Sequence, residues 1–148
     1  MEPACYILDV NKNQSQIHER KAPMQQSNKQ FRKRNAIYEC LCSTDAHPSA
    51  EMVHSMLQQE HPDISLATVY RNLSKFKAEG KISSVATVRG IERFDADITP
   101  HVHFVCSRCD AVIDLHHAPM PQYEAEECGG CRIDSCAVTL VGVCGSCT

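Results

Sequence analysis

The chain has no tryptophan, and Phe and Tyr supply only four residues each of its 148. A core with so few large rings must rely on small aliphatic side chains and on crosslinks. No stretch approaches the roughly 20 apolar residues that a membrane-spanning helix needs, so no membrane association is expected. Residues 1–10 contain Glu2 and Asp9 and lack the basic start and apolar run of a secretory leader. A reducing, cytoplasmic setting is therefore expected. Cysteine, by contrast, is abundant, with ten residues. In a secreted chain that number would read as a disulfide framework; in a reducing one, paired cysteines read as metal ligands.

Positive charge is scarce in the second part of the chain. Residues 94–148 hold 2 Lys+Arg against 8 Asp+Glu, a balance of −6, whereas residues 1–93 hold 13 against 10, a balance of +3. The first part can approach a polyanion and the second cannot easily do so. This suits a nucleic-acid module joined to a sensing module, although such asymmetry also arises by chance.

The richest stretch runs from Phe94 to Asp114. It holds Asp95, His101, His103 and Asp114, which are nitrogen and oxygen donors, and Cys106 and Cys109, which are sulfur donors. His101 and His103 are two apart, so on a strand they share a face. Cys106-Ser-Arg-Cys109 and Cys144-Gly-Ser-Cys147 are two knuckles separated by 34 residues. Two such pairs make a four-thiolate site of the structural zinc kind. A hard donor set beside a soft one implies two metals with two jobs.

Along the chain, residues 1–28 are polar and rich in Gln and Asn, and read as an arm in which Cys5 is an incidental thiol. Lys29, Arg32, Lys33 and Arg34 lead into a first core helix carrying Ala36, Ile37, Cys40 and Leu41. Ser49 caps a second helix with an apolar stripe of Ala50, Val53, Met56 and Leu57. His47 precedes it in a turn, where a histidine is ordinarily a solvated side chain; His54 and His61 are given the same reading. Ser65 caps a third helix. Leu66, Val69, Leu73 and Phe76 form its apolar face; Thr68, Arg71, Asn72 and Lys75 form the opposite one, with Tyr70 beside it. That face has what major-groove reading needs, and equally fits a plain amphipathic helix. Strands are expected over Ile82–Val88 and Ile91–Phe94 about Arg89-Gly90, over His103–Cys106, Ala111–Leu115 and Ala137–Val143. At most a short helix follows Pro121. The whole is α+β: a winged helix-turn-helix over 29–94, with Arg89 at the wing tip, then a small α/β domain over 95–148.

The segments HPSAEMVHSML, ISLATVYRNLSKFKAEG, RFD, HVHFVCSRC, DAVIDL and GVCGSC resemble the ferric uptake regulator family of bacterial metal-dependent repressors. The likeness runs in one order from about Phe31 to Cys147. It implies a homodimer, joined through the C-terminal domain, that binds double-stranded operator DNA. It implies structural zinc on Cys106, Cys109, Cys144 and Cys147, and a regulatory metal on His47, Asp95, His101, His103 and Asp114. It places DNA contacts at Tyr70 and Arg71, and with the helix face, the hairpin tip and the basic run the expected contacts are Arg34, Thr68, Tyr70, Arg71, Lys75 and Arg89. Iron and zinc sensors of the family tend to have Glu where this chain has Asp95 or Asp114, and the peroxide sensors look like this chain. The resemblance therefore implies Fe(II) or Mn(II) at the regulatory site, with His47 or His101 oxidised when peroxide meets Fe(II). Pro100 and Val102 occupy positions from which some family members build an extra metal site, so that site is not expected. Phe31-Arg-Lys-Arg34 departs from the family's usual Thr-Pro-Gln-Arg, and Cys128, Cys131 and Cys136 lie outside its pattern. The rivals are an iron- or zinc-responsive repressor of the same fold, a thiol-redox protein using the extra cysteines, and a zinc hydrolase, for which no general base is evident.

Overall fold

The computed structural model describes residues 24–123 and 128–148. The first-part helices are α1 (Met24–Cys42), α2 (Ala50–Leu57) and α3 (Leu66–Ala78). Helix α1 begins inside the expected arm; residues 1–23, with Cys5, lie outside the described residues. Ser49 and Ser65 cap α2 and α3, their hydroxyls accepting from the Met52 and Thr68 amides. Each cap satisfies one of the amides that a helix start leaves unpaired.

The three helices close around Ile37, Leu41, Val53, Val69, Leu73 and Phe76, with Ile64, Ile82 and Phe94 sealing the ends. Met56, expected in the buried stripe, is exposed, because α2 turns only Ala50, Val53 and Leu57 inward. The Tyr38 and Phe76 rings pack 5.2 Å apart, and the Arg34 guanidinium lies 4.4 Å over Phe76. Lys29 and Lys33 both pair with Asp63, at 3.2 and 3.0 Å, which ties α1 to the turn before α3.

Strands β1 (Ser83–Val88) and β2 (Ile91–Asp95) form an antiparallel hairpin about Arg89-Gly90. Both turn residues have positive φ, 50° and 81°, the conformation that matches the twist of a two-residue hairpin. A bulge at Val85 breaks the ladder, and the Val85 carbonyl accepts instead from the Thr139 hydroxyl at 3.2 Å. The bulge thus fastens the hairpin to a second sheet. That sheet is β3 (Val102–Cys106), β4 (Val112–Leu115) and β5 (Val138–Gly142), in the order β4-β3-β5. β3 and β4 are antiparallel; β3 and β5 are parallel, so the chain crosses over through residues 116–137. Pro121–Tyr123 are not helical, and residues 124–127 lie outside the described residues.

Candidate metal centres

His47 has φ 47°, a left-handed conformation uncommon for a residue with a side chain. The turn is latched onto β2. The Phe94 amide donates to the Pro48 carbonyl at 3.2 Å, and Arg93 Nη1 donates to the His47 carbonyl at 3.2 Å. The latch buries the imidazole, contrary to the local reading of a solvated loop histidine and in keeping with the ligand role that the resemblance implies. Arg93 also donates through Nη2 to the Asp110 carbonyl at 3.4 Å, so one side chain joins the α2 turn, β2 and the first knuckle. Its role was not apparent from the sequence.

Four elements converge on the buried imidazole. Asp95 ends β2. Its Oδ1 accepts from the Asp97 amide at 2.8 Å, which turns Oδ2 inward. His103 on β3 stands in register opposite Asp114 on β4. His101 precedes β3, and its Nδ1 lies 2.8 Å from the Thr99 carbonyl. Donation to that carbonyl leaves the Nε2 lone pair free, which is how metal-ligating imidazoles are usually oriented. Asp95 Oδ2 lies 3.6, 3.2 and 3.3 Å from Nε2 of His47, His101 and His103. Asp114 Oδ1 lies 2.7, 3.2 and 3.3 Å from the same three atoms. All five side chains are between 1 and 14 % exposed.

Two buried carboxylates need a counter-charge. Burial pushes the Asp95 carboxyl up, but bonds from His103, His47 and the Asp97 amide hold it well below the usual carboxylate range. Burial pushes the His47 imidazole down, and the Asp95 and Asp114 carboxylates more than offset this, leaving it above its ordinary value. Yet neither ring nitrogen of His47 makes a hydrogen bond of normal geometry, although Asp114 Oδ1 is only 2.7 Å away. A cation between Nε2 and the carboxylates would satisfy the nitrogen and neutralise both charges. Three imidazoles and two carboxylates suit a first-row divalent ion.

The sulfur set is built where the two knuckles meet. The Gly142 carbonyl accepts from the Ser107 amide at 2.7 Å and the Ser107 hydroxyl at 3.0 Å, which draws the end of β5 against the first knuckle. A Cβ at Gly142 would lie 3.1 Å from the Phe104 ring, so only glycine fits without displacing it. Cys106, Cys109, Cys144 and Cys147 then place their sulfurs within 4.8 Å of one another. Cys109 and Cys144 are 3.8 Å apart, about the edge of a tetrahedron of sulfurs each ~2.3 Å from zinc. Backbone amides, the Cys144 amide first, pull the Cys106 thiol down to about 6. Hydrogen bonding among the sulfurs, Cys144 first, pushes Cys147 up to about 12. The Cys106 thiolate forms readily there, whereas Cys109, also raised, and Cys147 ionise only beside a cation.

A further group, Asp97, His101 and His116, lies beside the inner set; its ligand atoms are also within 4.8 Å of one another. The available signal was spacing: Asp97 is four before His101, and His116 two after Asp114. Cys128, Cys131 and Cys136 belong to no such group among the described residues.

On α3, Tyr70, Arg71 and Lys75 are exposed. The Tyr70 hydroxyl donates to the Glu51 carboxylate, which lowers the Glu51 pKa and raises that of Tyr70. Thr68 is half-buried, its hydroxyl 2.9 Å from that of Ser65. Arg34 is drawn inward onto Glu79 and Phe76. At the hairpin tip, Arg89 Nε pairs with Asp110 Oδ2 at 2.7 Å. Among the described residues no helix is long and apolar enough to cross a membrane.

A model of the ferric uptake regulator family matches residues 25–141. The chain is 31% identical over 117 residues to the peroxide operon regulator of Bacillus subtilis, spanning 78% of this chain and 81% of that protein. It superposes on the Campylobacter jejuni peroxide stress regulator with a TM-score of 0.65 at 21% identity, covering 83% and 94% of the two chains. It also resembles the manganese-containing ferric uptake regulator of Pseudomonas aeruginosa, with a TM-score of 0.57, 28% identity and coverage of 80% and 97%.

Proposed function

Because this chain belongs to the ferric uptake regulator family, we propose that it is a metal-dependent transcriptional repressor that binds operator DNA as a homodimer and responds to peroxide. The observation that carries this reading is the buried set of three imidazoles and two carboxylates, with its unsatisfied His47 nitrogens. His47 comes from the helical part and the other four residues from β2 and the β3–β4 sheet, so an ion there fastens one part to the other.

In this reading α1 through β2 form a winged helix-turn-helix, ending at residue 94, and residues 95–148 form the dimerisation domain. Cys106, Cys109, Cys144 and Cys147 hold structural Zn(II). His47, Asp95, His101, His103 and Asp114 hold regulatory Fe(II) or Mn(II). Tyr70, Arg71 and Lys75 are free to face the major groove. Thr68 supports them from the cap, and Arg34 and Arg89 reach phosphate by exchanging Glu79 and Asp110 for DNA. Ile113, Leu140, Val141 and Val143 leave apolar surface exposed on and after the sheet, which supports a partner there.

The ion couples to DNA through its preference for one arrangement of the two parts; without differential affinity it would shift nothing. Bound Fe(II) would supply the one-electron chemistry that splits a peroxide. His47 or His101 accepts the outcome: the imidazole loses two electrons and gains one oxygen atom, and the second peroxide oxygen leaves as water. An oxidised ring is a poorer donor, so the set loosens and the two parts separate. The Asp-for-Glu choice at Asp95 and Asp114, with the relatives named for peroxide response, favours this over an iron- or zinc-uptake regulator.

The test is selection from random duplex DNA by the Mn(II)-loaded protein, followed by affinity measurements with and without metal. Sequence-selective binding that collapses when Mn(II) is withdrawn is expected. Equal binding in both conditions would contradict the proposal.

A further inference from the structure

The inner set is nearly sealed, so an ion must reach it by a route. Side-chain exposure of the five inner donors is at most 14 %, at Asp114, and rises to 39 % at Asp97 and 54 % at His116 beside them. Asp114 faces both ways. It turns Oδ1 to the inner imidazoles and leaves Oδ2 3.9 Å from His116 Nε2. The His101 ring lies 4.3 Å from that of His103 and 4.8 Å from that of His116, tilted against each. Asp97 lies outside both His101 and Asp114. Its Oδ1 accepts from the Thr99 amide and hydroxyl at 2.9 and 2.7 Å, and its Oδ2 lies 4.0 Å from His101 Nδ1, not from the Nε2 that faces the inner carboxylates.

We propose that Asp97 and His116 form an outer docking point for a divalent cation, from which the ion passes, by ligand exchange at Asp114, into the buried set. The inference rests on the metal-binding reading of that set. His101 Nδ1 is committed to the Thr99 carbonyl, so this imidazole offers Nε2 to the inner set alone and the outer point has only Asp97, His116 and the shared Asp114. The outer point is therefore a stop on the path and not a second resident site. Pro100 and Val102, which flank His101, contribute no side-chain donor to it.

A stop on a path must slow entry and exit alike when removed, and must leave the equilibrium unchanged. Asp97→Asn/His116→Gln keeps the acceptor for Thr99 and touches only half-exposed side chains. The full-length, zinc-containing protein is loaded with Mn(II), and uptake is followed by freeze-quench electron paramagnetic resonance; release into excess chelator gives the return rate. Both rates should fall about tenfold, the low end of what a charged lining adds to capture, with Kd changed less than about twofold. Unchanged rates would overturn the proposal, and Asp97 would then be a turn residue only. Slower entry with unchanged release would overturn it as well, since that is electrostatic steering without docking. A weakened Kd with unchanged entry would make the pair resident ligands and contradict it. Wild-type protein that takes up no Mn(II) at His47 would instead overturn the metal reading, and the relay with it.

Discussion

Replacing His47 by Asn tests whether the inner set is a metal site or a buried hydrogen-bond cluster. Asn tolerates the left-handed backbone at this position, φ 47° here, and its amide stops short of the Nε2 position. With Mn(II) at a hundredfold excess over Kd, the wild type should gain about 2.7 kcal/mol of folding stability by mass action. At roughly 3 °C per kcal/mol for a chain of this size, that is a rise of about 8 °C in Tm. Losing even an outer partner of a metal ligand commonly weakens binding 10–100-fold, and a direct ligand should cost at least as much. At the same Mn(II) concentration the variant should then gain only about 0.4–1.4 kcal/mol, or ~1–4 °C. Without metal the ranking should narrow. The wild-type imidazole then has only the Asp95 and Asp114 carboxylates beside Nε2, and Nδ1 makes no hydrogen bond, so His47 there adds less to stability than it does in the metal-loaded protein. Calorimetry of both proteins, with and without Mn(II), reads all four values. A variant that keeps the full Mn(II) shift would refute the assignment of His47 as a ligand.

Cys106→Ser or Cys144→Ser should remove zinc and with it on the order of 10 kcal/mol of folding free energy, so that sedimentation shows no dimer. A zinc-free variant that stays dimeric would count against the four-thiolate site. Arg71→Ala should weaken operator binding by about 1–3 kcal/mol and relax sequence choice while Mn(II) affinity stays the same; unchanged DNA affinity across a salt series would remove Arg71 from the interface. Mn(II) affinity should fall with falling pH, starting on the alkaline side of the ordinary imidazole value. The carboxylates raise the affinity of metal-free His47 for a proton, which competes for the same nitrogen and is favoured as pH drops. Affinity flat through that range would show that His47 does not bind the ion.

The helix caps at Ser49 and Ser65, the hairpin about Arg89-Gly90 and the strand that carries His103 were legible because each depends on a local pattern; His101 lies just before that strand. The two knuckles, and their meeting in one four-thiolate site, were legible from the pairs; what brings them together was not. That is the parallel pairing of β5 with β3 and the Gly142 carbonyl, neither of which leaves a periodic trace. His47 was legible only by resemblance. Its burial comes from the Pro48 and Arg93 latch onto β2, contacts some 46 residues distant in sequence. Met56 was misread because a stripe pattern fixes a helix face but not how much of that face a short helix covers. Arg34 looked like a free cation in a basic run; the tertiary fold places Glu79 and the Phe76 ring beside it.

The central claim is that this regulator reads peroxide through its own metal-binding histidines. The direct measurement is mass spectrometry of the Fe(II) and Mn(II) forms, prepared without oxygen and given a small peroxide dose, with DNA binding followed in parallel. In the Fe(II) form the peptide containing His47 or His101 should gain one oxygen as DNA binding is lost, and the Mn(II) form should be unchanged. Asp114→Glu should retain metal-dependent DNA binding with a blunted peroxide response, because the longer arm alters how the carboxylate reaches the ion. Oxidation confined to Cys128, Cys131 or Cys136, and reversed by a thiol reductant together with DNA binding, would contradict the account and make the extra cysteines the sensor.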